Sequence, residues 1–265
     1  MSARIPLAAD APPPLPPLDP DAQARLAARL QDVRARIGAA EAAAGRKPGA
    51  VQLLAVSKTF GAQTIAAAAR LGQRLFGENY AQEAAAKMDA LRAADDLPAL
   101  EWHFIGPIQS NKTRLIATRF DWVQSIDRLS IARRLSDQRP PELPPLQVLV
   151  EVNISGEASK GGVAPDQLAE LALGINALPR LHLRGLMAIP AAGLGAEEQH
   201  AAFARLRGLL MTLHQRLDTE PHRARTADGP ALDTLSMGMS ADFEAAIAEG
   251  ASLVRVGSAI FGERT

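Results

Sequence analysis

The chain has 265 residues, enough to bury a sizeable core in one α/β barrel or in two small domains. Its 29 basic side chains balance its 29 acidic ones without a long basic stripe, so nucleic acid and anionic membranes have little electrostatic support as partners. It has no cysteine, which excludes disulfide scaffolds and cysteine nucleophiles, and its five histidines lack zinc-ligand spacing, so we predict no metal.

The first 19 residues are predicted to be a disordered, proline-rich extension. They lack the continuous apolar core of a secretory signal, and no run in the chain approaches the length needed to span a bilayer, so we expect a cytoplasmic protein. Asp19-Pro20-Asp21 then supplies a capping side chain and a proline suited to the first turn of a helix, which Gly45 is placed to stop. We expect the folded domain to occupy residues 20–265.

After this helix, short apolar runs alternate with helical segments. The predicted strands are residues 51–57, 74–78, 101–106, 122–126, 147–153, 182–188, 232–237 and 253–257. The predicted helices between them are 63–71, 81–93, 110–117, 128–135, 165–177, 197–217 and 241–249. This alternation predicts an α/β fold with a parallel sheet, and its length matches a single closed (β/α)8 TIM barrel. A doubly wound open sheet is the alternative, although no G-x-G-x-x-G follows the first strand.

The last two predicted strands end in small, donor-rich turns. One of them ends in Ser236-Met237-Gly238-Met239-Ser240, which leads into a short helix, and the other stops at Gly257, which Ser258 follows. Backbone N–H groups in such turns surround a phosphate, and Ser240 is placed to cap the next helix. The pattern predicts a phosphorylated ligand, with plain capping of a helix and a turn as the alternative for Ser240 and Ser258.

A lysine leaves the first predicted strand. Lys58 shares strand parity with Leu54 and Val56, so it enters the barrel mouth if those two residues fill the interior. Desolvation there favours the neutral amine that attacks a carbonyl. Together with the phosphate turns, this suggests a phosphorylated aldehyde held as a Schiff base, whereas an exposed loop lysine is the ordinary alternative.

An arginine lies inside the otherwise apolar last strand. Burying Arg255 is costly unless the guanidinium forms an ion pair or binds a ligand. We favour ligand binding and predict that Arg255 donates to the pyridine nitrogen of the ligand. Such a contact disfavours protonation of that nitrogen. Asn79 and His103, near the ends of neighbouring strands, are predicted to orient the ring or to be satisfied polar groups of the rim. Lys112 and Lys160 lie in loops above the same rim, where they attract anions or are merely solvated.

Several motifs, in this order and spacing, resemble the pyridoxal phosphate homeostasis protein family, also called the YggS/PROSC family. The resemblance runs from about residue 51 to residue 262. The motifs are Ala55-Val56-Ser57-Lys58, Phe76-Gly77-Glu78-Asn79-Tyr80, His103-Phe104-Ile105-Gly106, Gln109-Ser110-Asn111-Lys112, Val152-Asn153-Ile154, Ser159-Lys160-Gly161, Gly185-Leu186-Met187, Ser236-Met237-Gly238-Met239-Ser240 and Arg255-Val256-Gly257-Ser258-Ala259-Ile260-Phe261-Gly262.

The resemblance implies a single barrel like the N-terminal domain of alanine racemase, a fold type III pyridoxal 5′-phosphate (PLP) protein. It implies Lys58 as the aldimine lysine, phosphate contacts from Ser240, Gly257 and Ser258, and Arg255 opposite the pyridine nitrogen; Met239 completes the expected cofactor-binding set. It further implies a carrier or buffer in vitamin B6 homeostasis without robust catalysis. We expect a monomer with PLP-dependent apo-enzymes as candidate recipients. The departures are the N-terminal extension and a longer loop at 218–230.

The alternative is an amino-acid racemase or a related PLP enzyme. Two-base racemisation needs a second acid/base on the opposite face of the substrate, and in alanine racemases a tyrosine of the C-terminal β-domain supplies it. Here the chain ends at Thr265, and the sole tyrosine, Tyr80, follows the second strand. We therefore expect the carrier, with Tyr80 packing at the rim.

Overall fold

The computed structural model describes residues 15–92, 94, 96–157, 160–191, 193–219 and 232–263. Most of the predicted extension and of the predicted loop at 218–230 therefore lies outside the described residues. Where the extension is described, Leu15 and Leu18 pack against the hydrophobic core. These two leucines bury apolar surface, while the disorder of the extension as a whole stays a prediction.

Strands and helices alternate along the described chain. The strands are β1 Gln52–Val56, β2 Leu75–Glu78, β3 Glu101–Phe104, β4 Trp122–Ile126, β5 Leu146–Glu151, β6 Leu181–Met187, β7 Thr234–Ser236 and β8 Leu253–Val256. The helices are α1 Pro20–Ala43, α2 Ala62–Arg70, α3 Ala81–Leu91, α4 Thr113–Arg119, α5 Leu129–Gln138, α6 Leu168–Asn176, α7 Ala196–Thr219, α8 Phe243–Ala248 and α9 Ser258–Phe261, with a 3₁₀ turn at Ser110–Lys112.

The strands form one closed, all-parallel barrel in chain order. Strand β8 pairs with β1, and this pairing places Arg255 beside Leu54. Closure confirms the (β/α)8 barrel and excludes the open-sheet alternative. The sequence did not predict α9, which begins directly after Gly257.

Helix α1 begins as its sequence predicts. Asp19 Oδ1 accepts a 3.0 Å hydrogen bond from the N–H of Ala22, and Pro20 is the first helical residue. The helix ends just before Gly45, whose φ of 65° is the left-handed conformation that glycine adopts freely. Its apolar face packs against α8 and α9, which brings α1 to the side of the barrel where the last two strands end.

The main hydrophobic core lies between the sheet and the helices. A separate, smaller apolar cluster of Trp122, Leu149 and Met187 fills part of the barrel interior. Buried polar side chains occupy another part of that interior, as described below. In the part of the chain that the structure describes, no helix is both long and apolar enough to cross a membrane.

Candidate functional site

A cavity of about 510 Å³ opens at the C-terminal ends of the strands, where active sites of this fold lie. Seven of the eight residues singled out from the sequence line it, and only His103 does not. The lining residues are Val56, Lys58, Phe60, Asn79, Ile105, Ile189, Met239, Ser240, Ala241, Arg255, Gly257, Ser258, Gly262 and Glu263. The lining is therefore partly apolar and also carries an amine, a guanidinium, an amide, a carboxylate and two hydroxyls.

Lys58 enters the cavity as strand parity predicts. It is half-buried and lies two residues after Val56, which lines the same cavity. The next residue, Thr59, has a φ of 72°, a left-handed conformation that is costly for a β-branched residue. The Thr59 N–H donates a 2.7 Å hydrogen bond to Glu83 Oε1, so a helix side chain fixes this turn.

A second, buried lysine forms a hydrogen bond with the backbone at the end of β1. Lys87 Nζ donates to the Ser57 carbonyl at 2.9 Å and to Glu78 Oε1 at 2.8 Å, and it also pairs with Glu83 at 2.5 Å. Burial raises the pKa of Glu78 against the opposing effects of Lys87 and of the Ser57 hydroxyl. Sequence reasoning missed Lys87, although its spacing of four residues from Glu83 on α3 is a recognisable helical pair.

Arg255 lies at the base of the cavity and is only 4% exposed. Its Nη1 donates to Ser236 Oγ at 2.8 Å, and its Nη2 donates to the Ala188 carbonyl at 2.9 Å. Burial lowers the pKa of its guanidinium to about 10, against the charges of Glu151 and Asp242. The side chain remains cationic at neutral pH, and its bonds to the protein fix its orientation.

The turns after β7 and β8 meet at one end of the cavity. Ser258 Oγ donates to Ser240 Oγ at 3.2 Å, and the Ala259 N–H reaches the same oxygen at 3.4 Å. Ser240 does not cap α8, which corrects the sequence expectation: that helix starts at Phe243, and Asp242 Oδ1 accepts from the Met239 N–H at 2.6 Å instead. The Ser240 hydroxyl therefore faces the β8 turn rather than the helix.

An arginine from α1 lies at this same end. Arg29 lines an outer pocket together with Ser240, Ser258, Ala259, Gly262 and Glu263. Its position depends on tertiary packing of α1 against the last helices, so nothing in the local sequence signals it. It adds a cation to the side of the barrel that carries both serines, in a pocket that Glu263 also lines.

Asn79 lines the cavity with an unmatched acceptor. Its Oδ1 is buried and has no hydrogen-bond partner among the described residues. Buried polar atoms are seldom left without a partner, so this oxygen has unused capacity for a ligand donor. The neighbouring Tyr80 is 56% exposed and does not line the cavity.

His103 does not reach the cavity, which corrects the expectation that it orients a ring there. It is fully buried in the barrel interior, where it stacks on Trp122 with ring centroids 5.2 Å apart. Its Nε2 lies 2.7 Å from Glu101 Oε1, and its Nδ1 lies 2.8 Å from Gln124 Nε2. The alternative of a satisfied polar group describes it, because both ring nitrogens have protein partners.

Glu151 is a further titratable group that sequence reasoning missed. It is the last residue of β5 and lies two residues after Leu149, so it shares the inward side of that strand. Burial, followed by repulsion from Asp127, raises its pKa to about 7, against attraction by Arg255. It is therefore a carboxyl that changes charge near neutral pH.

Comparison with known proteins identifies relatives of this barrel. The family described as alanine racemase, N-terminal domain, matches residues 28–265. The pyridoxal phosphate homeostasis protein of Pseudomonas aeruginosa is 56% identical over 203 residues, which cover 77% of this chain and 80% of that protein.

Solved structures agree with this relationship. PipY of Synechococcus elongatus, solved with PLP bound, is 36% identical, with a TM-score of 0.73 over 89% of this chain and all of PipY. Alanine racemase of Corynebacterium glutamicum shares the fold at 16% identity, with a TM-score of 0.61 over 93% of this chain and 62% of that enzyme. The chain belongs to the pyridoxal phosphate homeostasis protein family, and it matches the alanine racemase N-terminal domain over residues 28–265.

Proposed function

We propose that this protein binds pyridoxal 5′-phosphate covalently through Lys58 and acts as an intracellular carrier or buffer of the cofactor, without robust catalysis. The observation that carries the proposal is the single cavity that brings together the Lys58 amine, the Arg255 guanidinium and the Ser240 and Ser258 hydroxyls. When bound, PLP supplies an aldehyde that condenses reversibly with a neutral primary amine and releases water.

The chemistry of the lining residues fits this cofactor. PLP needs an amine for its aldehyde, donors for its phosphate and a partner for its ring nitrogen. The Lys58 amine follows β1, the donors for the phosphate follow β7 and β8, and the Arg255 guanidinium lies on β8. The unmatched Asn79 Oδ1 supplies an acceptor beside them. The apolar side chains of Val56, Ile105 and Ile189 provide surface for a flat ring.

Each residue has a distinct proposed role. Lys58 holds the cofactor, and the turns at Ser240, Gly257 and Ser258 bind its phosphate, with Met239 beside them. Arg255 donates to the ring nitrogen and, as a fixed cation, keeps that nitrogen unprotonated. This arrangement retains PLP while making it a weak electron sink, which suits a carrier better than an enzyme.

The alternative function is a PLP-dependent racemase. Such an enzyme needs an acid/base group on the far face of the substrate. Among the described residues that line the cavity there is neither a tyrosine nor a histidine, and Tyr80 is turned to solvent. This supports the carrier, and the relatives named pyridoxal phosphate homeostasis protein support it too. We extend the proposal to a cytoplasmic monomer that passes PLP to apo-enzymes and binds neither nucleic acid nor membranes.

Hydride reduction tests the proposal directly. Protein incubated with PLP, reduced with borohydride and digested is expected to carry the reduced cofactor mass on Lys58. Lys58→Ala should lose the adduct, while Lys112→Ala, which changes a lysine outside the cavity lining, should keep it. A protein that stays colourless in PLP, or an adduct mass on another lysine, would overturn the proposal.

A chirality assay separates the carrier from the racemase. The PLP-loaded protein, incubated with single L-amino acids, is expected to produce the D-isomer no faster than free PLP does. Turnover well above that rate, abolished by Lys58→Ala, would replace the carrier with the enzyme.

A further inference from the structure

A continuous chain of side-chain hydrogen bonds runs through the barrel interior from the base of the cavity. Arg255 Nη1 donates to Ser236 Oγ at 2.8 Å, and Ser236 Oγ donates to Gln124 Oε1 at 2.6 Å. Gln124 Nε2 lies 2.8 Å from His103 Nδ1, and His103 Nε2 lies 2.7 Å from Glu101 Oε1. Four strands, β8, β7, β4 and β3, therefore contribute one connected set of polar groups.

The protons in this chain have one consistent arrangement. A guanidinium only donates, so Ser236 Oγ accepts from Arg255 and its own O–H points to Gln124 Oε1. The Gln124 amide then donates to His103 Nδ1, which must be the unprotonated ring nitrogen. The proton of the neutral imidazole consequently lies on Nε2 and is donated to Glu101. Every donor points from the arginine toward the carboxylate.

The chain is shielded from water over most of its length. Ser236, Gln124 and His103 are fully buried, and only the terminal Glu101 carboxylate reaches solvent, with 41% of its side chain exposed. Buried polar groups are costly unless they are hydrogen-bonded, and a satisfied buried network is rigid. Replacing one member leaves its neighbours without partners, so the geometry of each depends on the others.

This series of hydrogen bonds restricts the orientation of Arg255, its member that lines the cavity. Of the five N–H donors of Arg255, its bonds to Ser236 and to the Ala188 carbonyl use two, so donors remain for a ligand atom. Its orientation is set by acceptors that are themselves fixed. Without the Ser236 hydroxyl in place, the guanidinium loses one of the two contacts that hold it.

We propose that Ser236, Gln124 and His103 are positioning residues that fix Arg255 as a donor to the ring nitrogen of bound PLP and so set the protonation behaviour of the Lys58-bound cofactor. This inference rests on the proposed function. The three residues do not touch the cofactor, and their effect is transmitted through the arginine alone.

Charged groups among the described residues act on both ends of this series of hydrogen bonds. Glu101 and Asp121 are the carboxylates that act on His103, and Arg184 lies over the far ring of the stack, 5.0 Å from the Trp122 centroid. Burial is nonetheless the largest influence and lowers the pKa of His103, so the ring is neutral at physiological pH. Glu151 and Asp242 are the carboxylates that act on Arg255, and Glu151 itself is influenced by Asp127.

The test compares two variants that break this series of hydrogen bonds with two that leave it intact. Gln124→Leu removes the central link, Ser236→Ala removes one hydroxyl, and Ser236→Thr retains it. Gln147→Leu is the matched control. Gln147 also contacts a histidine, His182 at 3.4 Å, but it forms no hydrogen bond with Arg255, Ser236, Gln124, His103 or Glu101. Each variant is loaded with PLP, and the absorption of the protein-bound cofactor is titrated with pH.

We expect reduction to place the adduct on Lys58 in every variant. The midpoint of the pH titration should fall by about one unit in Gln124→Leu and in Ser236→Ala, because a ring nitrogen freed from Arg255 gains a proton and withdraws electrons from the lysine-bound nitrogen. Gln147→Leu and Ser236→Thr should keep the wild-type midpoint.

The inference would be overturned if the midpoints of Gln124→Leu and Ser236→Ala were unchanged, or if the midpoint of Gln147→Leu fell equally. In either case a Lys58 adduct would still uphold the proposed function. An adduct missing from the wild-type protein would instead refute the proposed function. If circular dichroism shows that Gln124→Leu does not fold, the titration midpoints of Ser236→Ala and Ser236→Thr are compared instead. These two variants test the inference because they differ in whether the hydroxyl is present.

Discussion

Lys87 Nζ donates a 2.9 Å hydrogen bond to the carbonyl of Ser57, the residue immediately before Lys58. One lysine is thus buried and ion-paired in order to hold the backbone that presents the other. Lys87 itself has two carboxylate partners, Glu78 and Glu83.

Lys87→Met should destabilise the protein strongly. It leaves the Glu78 carboxylate buried without its cation, and breaking a buried pair from one side costs about 3–5 kcal/mol. Urea unfolding of the PLP-free protein measures this loss, with Lys112→Met as the control. Adding Glu78→Leu to Lys87→Met should recover much of the stability, and a double variant as unstable as the single one would contradict the ion-pair explanation.

Arg29→Ala should weaken the binding of phosphorylated vitamers selectively. Arg29 lines the outer pocket that also contains Ser240 and Ser258, so its loss removes a cation from the proposed phosphate end. We expect about fivefold weaker binding of PLP and little change for pyridoxal, because an exposed charge-assisted contact to phosphate contributes roughly 1 kcal/mol. Equilibrium dialysis of both vitamers measures the difference.

The control for this experiment is Arg25→Ala, one turn earlier on α1 and outside that pocket. Equal losses of PLP and pyridoxal affinity in Arg29→Ala would show that Arg29 acts on the fold rather than on the phosphate.

Glu151 should make the cofactor-free protein less stable as pH rises toward neutrality. Its pKa is raised from 4.5 to about 7 in the folded state, so the folded state binds more protons than the unfolded state between these values. The stabilisation is complete below about pH 4.5 and is lost as pH rises through about 7, by up to about 3 kcal/mol. Glu151→Gln should remove this part of the pH dependence and raise stability at pH 8.

Urea midpoints measured from pH 5 to pH 8 test this expectation, with Glu142→Gln on an exposed turn as the comparison. A wild-type and a Glu151→Gln profile that run parallel across this range would contradict it.

Gly238→Ala should disrupt the turn after β7. Gly238 has a φ of 90°, and an added Cβ would lie 2.6 Å from the Ala246 Cβ and 2.9 Å from the Phe243 Cα. Both are parts of α8 rather than flexible side-chain ends, so the turn or the helix must shift. We expect a loss of about 2–4 kcal/mol and weaker PLP binding, checked by thermal melts and dialysis. Gly208→Ala, with open space around its Cβ position, should be tolerated.

Much of this architecture could be predicted from the sequence, because it follows from local patterns. Alternation of apolar runs and helical segments predicts all eight strands to within two residues of their bounds. Parity along β1 predicts that Lys58 joins Val56 in the cavity, since side chains alternate strictly in a strand. Glycine and serine at two strand ends predict the turns that meet there.

The remaining features depend on which distant groups meet. Arg29 reaches the outer pocket beside Ser240 and Ser258 through helix packing, and Lys87 reaches Ser57 across 30 positions of sequence. The sequence around Ser240 is typical of a helix N-cap, yet its hydroxyl accepts a hydrogen bond from Ser258, which follows a different strand. Gln124 did leave a signal, as a polar residue at an inward position of an apolar strand, but only the closed barrel shows its partners.

Strand β8 pairs with β1, so Arg255 and Lys58 come from opposite ends of the chain and meet only at the seam. Six strands of the sheet can assemble without creating any part of that junction. A nascent chain that has not yet released its last segment therefore has most of its scaffold but lacks the part of the cavity wall that Arg255, Gly257 and Ser258 form. Ligand binding accordingly requires a closed barrel. A bound ligand would stabilise the β1–β8 pairing against opening more than any other strand pairing.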